Sequence, residues 1–197
     1  MVRAVADDYG VDTADVLTGF KYIGEKIAEY EEKGESYLFG LEESYGYLKG
    51  TYARDKDAVV ASMLVCELAA DCYAEGITLA ERLDALYERY GYYREKLLSF
   101  TLKGIDGAER IKKIMSSLRT QPMEGEWLSR TDYSEGIDGL PPSDVLKFRL
   151  ADGAFTARPS GTEPKIKFYL SAKGKNAAEC EKILAHLTEI VEEAVNR

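Results

Sequence analysis

The sequence is poor in the side chains that build metal centres and disulfide frameworks, with three cysteines and one histidine in 197 residues. Cys66, Cys72 and Cys180 lack the spacing of metal ligands, and the first two lie in an apolar run. This pattern predicts buried free thiols in a reducing cytoplasm. His186 lies on the polar side of the last predicted helix and is interpreted as a solvated residue. We therefore expect a cytoplasmic protein without a metal site of its own.

An excess of positive charge and a long apolar run are also missing. The net charge of −9 and the pI near 4.9 exclude nucleic acid and anionic membranes as partners, because phosphate backbones are bound through clustered cations. Any anion site must be local. The apolar stretch 58–74 is too short to span a bilayer and contains Glu67 and Asp71, so we predict a buried helix. The acidic, amphipathic start at Met1 does not resemble a signal peptide.

The periodicity of the first part of the chain predicts an α/β domain over residues 1–91. Short strands and amphipathic helices alternate with short links, which is typical of a parallel sheet whose ligands lie beyond the carboxyl ends of the strands. The predicted elements are a helix to Tyr9 closed by Gly10, a strand over 15–17, a helix from Phe20 to Glu32 stopped by Gly34, a strand over 37–39, a helix capped by Asp57, and a helix opened by the capping box Thr78 and Glu81.

Residues 92–197 predict a second domain of α+β type with an antiparallel sheet. Helices before and after three consecutive strands would pack on one face of that sheet. The predicted elements are a strand over 95–103, a helix from Asp106, a loop over 121–143 that includes Gly125, a hairpin of 145–150 and 154–158 around Asp152-Gly153, a strand over 165–170, and a helix from Asn176 with Glu179 at the capping-box position.

The run Arg158-Pro159-Ser160-Gly161-Thr162-Glu163-Pro164-Lys165 carries the strongest chemical signal. Two prolines bracket a short turn that brings hydroxyl groups, cations and a glycine amide together. A guanidinium can bind a phosphate with two parallel N–H bonds, and hydroxyl and amide groups can complete the shell. A surface hairpin turn is the alternative, and for Ser-Gly-Thr alone it would be preferred.

This run resembles the phosphate-binding loop in the last domain of the α-D-phosphohexomutases, the phosphoglucomutase and phosphomannomutase superfamily. Two earlier runs, Thr18-Gly19-Phe20-Lys21 and Phe39 to Ser44, resemble loops of the third domain of that family. The resemblance implies the C-terminal half of such an enzyme: a third domain that lacks its start, with a truncated parallel αβα sheet, and a fourth domain that resembles half of a TATA-binding-protein fold.

The resemblance also implies roles for individual residues. The phosphate would be bound by Arg158, Ser160, Gly161, Thr162 and Lys165. Sugar hydroxyls would be bound by Glu42 and Ser44, with Thr18 and Gly19 approaching the ring. Without the resemblance, Glu42 to Ser44 would be interpreted as a solvated turn, and Lys56 is balanced between an active-site lysine and an exposed charge. Phe20 favours glucose weakly, because family members that accept mannose carry histidine there.

The family reaction requires a phosphoserine loop and an Asp-Gly-Asp-x-Asp loop that binds Mg²⁺, and this sequence contains neither motif. The implied activity is the interconversion of hexose 1-phosphate and hexose 6-phosphate through a bisphosphorylated sugar, with a glucose 1,6-bisphosphate-type activator. Mg²⁺ and the catalytic serine would belong to N-terminal domains, the implied partners of this chain, and the isolated fragment would be inactive. The alternatives are a mutase for phosphopentose or N-acetylglucosamine phosphate, and a stand-alone module that binds sugar phosphates.

Overall fold

The structure, a computed structural model, describes residues 1–104, 106–122, 127–137 and 139–196. Its helices and strands follow the order expected for a mixed α/β protein. They are α1 (Val2–Asp8), α2 (Phe20–Lys33), β1 (Phe39–Glu42), β2 (Gly46–Lys49), α3 (Ala58–Ala74), α4 (Leu79–Tyr90), β3 (Tyr92–Thr101), α5 (Gly107–Thr120), β4 (Ser129–Asp132), β5 (Leu146–Arg149), β6 (Gly153–Pro159), β7 (Lys165–Gly174) and α6 (Ala177–Asn196).

The chain divides into two compact units. One comprises residues 6–86, and the other comprises residues 1–5 together with 87–197. The domain limits of 1–91 and 92–197 that we drew from the sequence stay a prediction. No helix in the described ranges has the length and hydropathy needed to cross a bilayer.

The larger unit is built on a five-stranded antiparallel sheet in the order β3-β7-β6-β5-β4. Asp152 and Gly153 turn β5 into β6, which confirms the predicted hairpin. The antiparallel α+β class is confirmed as well. One strand was missed: β4 lies within the segment 121–143 that we predicted as loop, and its four residues are too few to show a period of two. Gly125 lies outside the described residues.

Alternation along the strands gives this sheet two different faces. Side chains from β5, β6 and β7 meet α5 and α6 in one buried core on the first face. At the centre of that core Phe148 stacks on Phe155 with ring centroids 4.6 Å apart, and Trp127 meets both rings edge-on. We call the opposite side the helix-free face, because neither α5 nor α6 packs on it; it carries the intervening residues of each strand, since side chains alternate across a sheet.

Residues 6–86 correct the predicted parallel sheet. In this unit the described strands are β1 and β2, which pair antiparallel with Glu42 opposite Gly46. A three-residue turn returns the chain directly beside β1, so the strand pairs with its own continuation. Residues 15–17 form no strand, and Val16 packs instead against the small core of α2 and Leu48. Helix α2 ends at Lys33, and its C-cap Gly34 has φ +70°, in the left-handed region. The predicted stop at Gly34 is therefore confirmed.

Helix α3 also differs from its prediction. It begins at the Asp57 cap, whose Oδ1 accepts hydrogen bonds from the amides of Val59 and Val60 at 2.7 and 3.2 Å. However, Cys72 is its one fully buried residue, and Val59 and Met63 are 71% and 60% exposed. The apolar side chains surround the helix rather than forming one stripe, so a neighbour on one side cannot cover them. Cys66 is exposed for the same reason, which corrects its predicted burial.

Candidate functional site

The predicted phosphate-binding run forms the tight connection between β6 and β7. The Ser160 amide donates to the carbonyl of Lys165 at 2.8 Å, which closes the loop at its base. The Ser160 hydroxyl accepts from the amides of Thr162 and Glu163 at 3.4 and 3.2 Å. These bonds link the loop to itself, so its shape is set by its own residues.

Arg158 precedes this loop on the helix-free face. It lies directly opposite Lys167, so two cations occupy adjacent strands within side-chain reach of each other. The Arg158 guanidinium carbon lies 5.8 Å from the centroid of the Tyr169 ring, and among the described residues no carboxylate pairs with it. A half-buried guanidinium beside a second cation is suited to bind an anion.

Lys165 follows the loop and is placed differently. Its Nζ atom lies 2.9 Å from Glu163 Oε2, and this contact is the main cause that lowers the pKa of the Glu163 carboxyl. The lysine is therefore partly neutralised within the loop. We expect it to contribute less to an anion than Arg158 does.

Gly161 is not explained by the chain itself. Its φ lies outside the left-handed region, and a Cβ built on it would meet nothing within 4 Å. Neither backbone strain nor packing therefore requires glycine here. Glycine at an open position allows the close approach of a ligand to the backbone.

The predicted sugar loop is the turn between β1 and β2. Glu42 is the last residue of β1 and is half-buried, whereas Ser44 and Tyr45 are exposed in the turn. Tyr45 has φ +64°, in the left-handed region. The chain is not extended from Glu42 to Ser44, because the turn begins immediately after Glu42.

The position of the Glu42 carboxylate depends on Gly46. The two residues are directly opposite in the hairpin, and a Cβ on Gly46 would lie 2.5 Å from Glu42 Oε1. The carboxylate therefore occupies space that a side chain at position 46 would take. A side chain at position 46 would therefore displace the Glu42 carboxylate.

Lys56 lies beside the other predicted sugar-side elements. Its Nζ atom is 5.9 Å from the centroid of the Phe20 ring, the first residue of α2, which directly follows Thr18 and Gly19. The next residue, Asp57, donates its amide to the carbonyl of Tyr47 at 2.8 Å. Tyr47 belongs to β2 and is opposite Leu41, so the Lys56 segment, the start of α2 and the Glu42 hairpin are neighbours.

Lys56 also affects its own neighbour. The backbone amide and the side chain of Lys56 both bind Asp55, and these bonds lower the pKa of the Asp55 carboxyl. No group of three or more His, Cys, Asp or Glu side chains within the described ranges is arranged to bind a metal ion. The residues present therefore do not fit a Mg²⁺ site.

The structure thus gathers the predicted residues into two sets. Arg158, Ser160, Gly161, Thr162 and Lys165 share one loop, and the segments of Thr18, Glu42 and Lys56 adjoin one another in the other unit. The sequence analysis missed Lys167 and Gly46. The alternation of Lys165, Lys167 and Tyr169 with buried residues indicates that these three share one face, whereas nothing in the sequence indicated the contact of Gly46 with Glu42.

Comparison with known proteins identifies the class to which this fold belongs. A crystal structure of the exocytosis-sensitive phosphoprotein pp63/parafusin, a phosphoglucomutase from Paramecium, in its open form, superposes with a TM-score of 0.76 at 18% identity, covering 99% of this chain and 35% of that one. At this level of identity the likeness concerns the fold alone.

Sequence comparison gives the family. Residues 1–90 match the profile of the phosphoglucomutase/phosphomannomutase alpha/beta/alpha domain III, and residues 102–190 match that of the C-terminal domain. A phosphoglucomutase of Staphylococcus aureus strain MSSA476 is 34% identical over 191 residues, and that of Staphylococcus haemolyticus is 35% identical over 189. These matches cover 89% and 88% of this chain and 34% of each relative. The chain belongs to the phosphoglucomutase/phosphomannomutase family and spans about a third of the length of these curated relatives.

Proposed function

We propose that this chain is the sugar- and phosphate-recognition part of a cytoplasmic phosphohexomutase, which interconverts hexose 1-phosphate and hexose 6-phosphate. The sugar phosphate would be anchored by the phosphate that does not react, through Arg158 and the loop of Ser160, Gly161 and Thr162. Binding energy from that remote phosphate would position the reacting end of the sugar.

The observation that carries this proposal is the combination of Gly161, whose Cβ position meets no other part of the chain, with Arg158, which pairs with no carboxylate among the described residues. The Ser160 hydroxyl closes the loop, and the space that a side chain at position 161 would occupy is open. An anion that enters this space would meet amide and hydroxyl donors and a guanidinium together, which is the donor set that phosphates prefer.

Specificity for the sugar would come from the other unit. Glu42 can accept hydrogen bonds from two sugar hydroxyls, and Ser44, Thr18 and Gly19 offer further polar groups in neighbouring turns. Lys56 would add a cation at the start of α2. A related substrate, such as a phosphopentose or N-acetylglucosamine phosphate, would use the same anchor with different hydroxyl contacts.

The remaining parts of the reaction would come from elsewhere in the protein. The phosphoserine, the Mg²⁺ site and the domains that carry them would lie outside these 197 residues, and a glucose 1,6-bisphosphate-type activator would supply the phosphate. The alternative, a stand-alone binding module, predicts the same anchor. It differs from the proposed function in that the natural protein would contain no domains with a phosphoserine and a Mg²⁺ site.

The substitution Gly161→Ala tests the anchor most directly. A methyl group at this position touches nothing in the chain, so the melting temperature should stay unchanged or rise slightly, since alanine restricts the unfolded chain. The same methyl group would occupy space needed by a phosphate oxygen. We expect the affinity for glucose 1,6-bisphosphate, measured by NMR titration of the amide signals, to fall by about tenfold or more, which is about 1.4 kcal/mol.

Ser171→Ala is the control, because Ser171 is exposed on the same face opposite Glu95, toward the other end of the sheet. This variant should bind like the wild type. Equal affinity of Gly161→Ala and the control, or an unaltered spectrum of the wild type with the bisphosphate, would refute the proposed anchor. Glucose without phosphate should not shift the loop signals.

A further inference from the structure

The register of the large sheet separates its charges. Residues opposite one another in an antiparallel pair share a face, so the pairings determine which side chains lie on the helix-free face. Among the described strand residues, that face carries one carboxylate, Glu95, and a set of cations. The cations are Lys147, Arg149, Arg158, Lys165, Lys167 and Lys173.

This surface contrasts with the chain as a whole, whose net charge is −9. Within the described ranges, Lys147, Arg149, Arg158 and Lys167 form no ion pair, whereas Lys165 contacts Glu163. Lys167 interacts electrostatically with Glu163, but the charges of Lys147, Arg149 and Arg158 have no partner carboxylate among the described residues. They create a positive potential over one face of a protein that otherwise repels anions.

Two of these cations lie away from the phosphate loop. Lys147 is opposite Thr156, and Arg149 is opposite Ala154, two and four residues along β6 from Arg158. A rise of about 3.4 Å per residue and a strand spacing of about 4.8 Å put their Cα atoms about 8 and about 14 Å from that of Arg158. Arg149 thus lies beyond the loop itself, and it is near enough to attract a phosphate that approaches Arg158.

We propose that Lys147 and Arg149 guide phosphorylated sugars electrostatically toward the Arg158 loop and raise their rate of association. This proposal rests on the proposed function, because it assumes that the loop binds a sugar phosphate. A surface lined by one sign of charge concentrates ligands of the opposite sign and accelerates encounter. The guide is continuous with the loop on one sheet face, and its charge complements a ligand that carries two phosphates.

The double variant Lys147→Gln/Arg149→Gln tests the guide. Its control, Lys113→Gln/Lys182→Gln, removes the same charge from α5 and α6, which pack on the opposite face. Association and dissociation rate constants for glucose 1,6-bisphosphate would be obtained from NMR lineshapes of the Gly161 and Thr162 amides, at about 10 mM and about 1 M ionic strength, where the Debye lengths are about 30 and about 3 Å.

We expect the guide variant to associate about fivefold more slowly than the control at low ionic strength, with dissociation within twofold of the wild type. At high ionic strength the difference should disappear. Equal association rates of the two variants, or a change confined to dissociation, would refute the guide while leaving the anchor intact. A wild type that does not bind the bisphosphate, or an Arg158→Ala variant that binds it equally well, would refute both the anchor and the guide.

Discussion

Arg158 allows binding and stability to be separated in one experiment. Its side chain lies on the helix-free face, outside the core formed by β5, β6, β7 and the two helices. Its guanidinium carbon lies 5.8 Å from the centroid of the Tyr169 ring. Cation–π contacts at exposed sites contribute about 0.5–1 kcal/mol. Arg158→Ala should therefore reduce the free energy of unfolding by no more than about 1 kcal/mol, which lowers the melting temperature of a domain of this size by about 2–4 °C.

The expected loss of binding is larger. A guanidinium that binds a phosphate through two charge-assisted hydrogen bonds loses both on truncation, and we expect about 2–4 kcal/mol from the net value of such bonds. This corresponds to a dissociation constant for glucose 1,6-bisphosphate about 30-fold to 1,000-fold higher. Arg158→Lys retains the charge but not the planar pair of donors, so its affinity should lie between those of the wild type and the alanine variant.

Calorimetric titration with glucose 1,6-bisphosphate and a thermal melt on the same preparations are sufficient. Arg110→Ala is the matched control, since it removes an exposed arginine from α5, which packs on the opposite side of the sheet. It should retain the enthalpy of binding of the wild type. A melting temperature of Arg158→Ala more than about 10 °C below that of the wild type would show that Arg158 stabilises the fold and would refute the reasoning. An affinity of Arg158→Ala equal to that of the control would refute it as well, because Arg158 would then not bind the ligand.

Four further results are expected. The isolated chain, supplied with Mg²⁺ and glucose 1,6-bisphosphate, should not convert glucose 1-phosphate to glucose 6-phosphate in a coupled assay; turnover above the blank would contradict our assignment of the missing groups. In a protein of full family length, Glu42→Gln should change the ratio of kcat/KM for glucose phosphate to kcat/KM for mannose phosphate by a factor that corresponds to about 1.5–3 kcal/mol. An unchanged ratio would show that Glu42 does not select between the two sugars. Phe148→Ala should lower the free energy of unfolding by about 3–5 kcal/mol in a urea melt, because Phe148 is fully buried against Phe155; a loss below about 1 kcal/mol would show a poorly packed core. Burial raises the pKa of Tyr37 to about 12, so the stability that its neutral form provides is present below pH 10 and is lost as the pH rises toward 12; Tyr37→Phe should remove this pH dependence and one late step from the ultraviolet titration.

The sequence predicted those elements whose signals are local. The Asp57 cap, the stop at Gly34 and the hairpin at Asp152-Gly153 depend on one or two residues whose chemistry acts within a few positions, and all three are confirmed. The core of the large sheet followed from a period of two in β7. The loop over residues 158–165, which we predicted to bind phosphate, was recognisable because its residues are contiguous.

Other features depend on what lies beside a segment in space. A run of apolar residues such as 58–74 predicts a helix, but its burial depends on neighbours that the periodicity does not reveal. The pairing of β1 with its own continuation was missed because Ser44 and Tyr45 are unremarkable as turn residues, and Tyr45 takes a left-handed conformation uncommon for tyrosine. The charged face required the register of five strands, which places Lys147 and Arg149 on the same side as Arg158 although they are remote in sequence.

The contact between Gly46 and Glu42 makes position 46 a useful position at which to change the placement of the Glu42 carboxylate by mutation. Alanine at position 46 would displace the Glu42 carboxylate without changing its chemistry, because the new Cβ would stand 2.5 Å from Oε1. Under the proposed role of Glu42 in sugar binding, a substitution at position 46 would therefore alter the preference among sugars through the placement of this carboxylate. Libraries aimed at new sugar specificity should vary positions 42 and 46 together, since each residue restricts what the other can be.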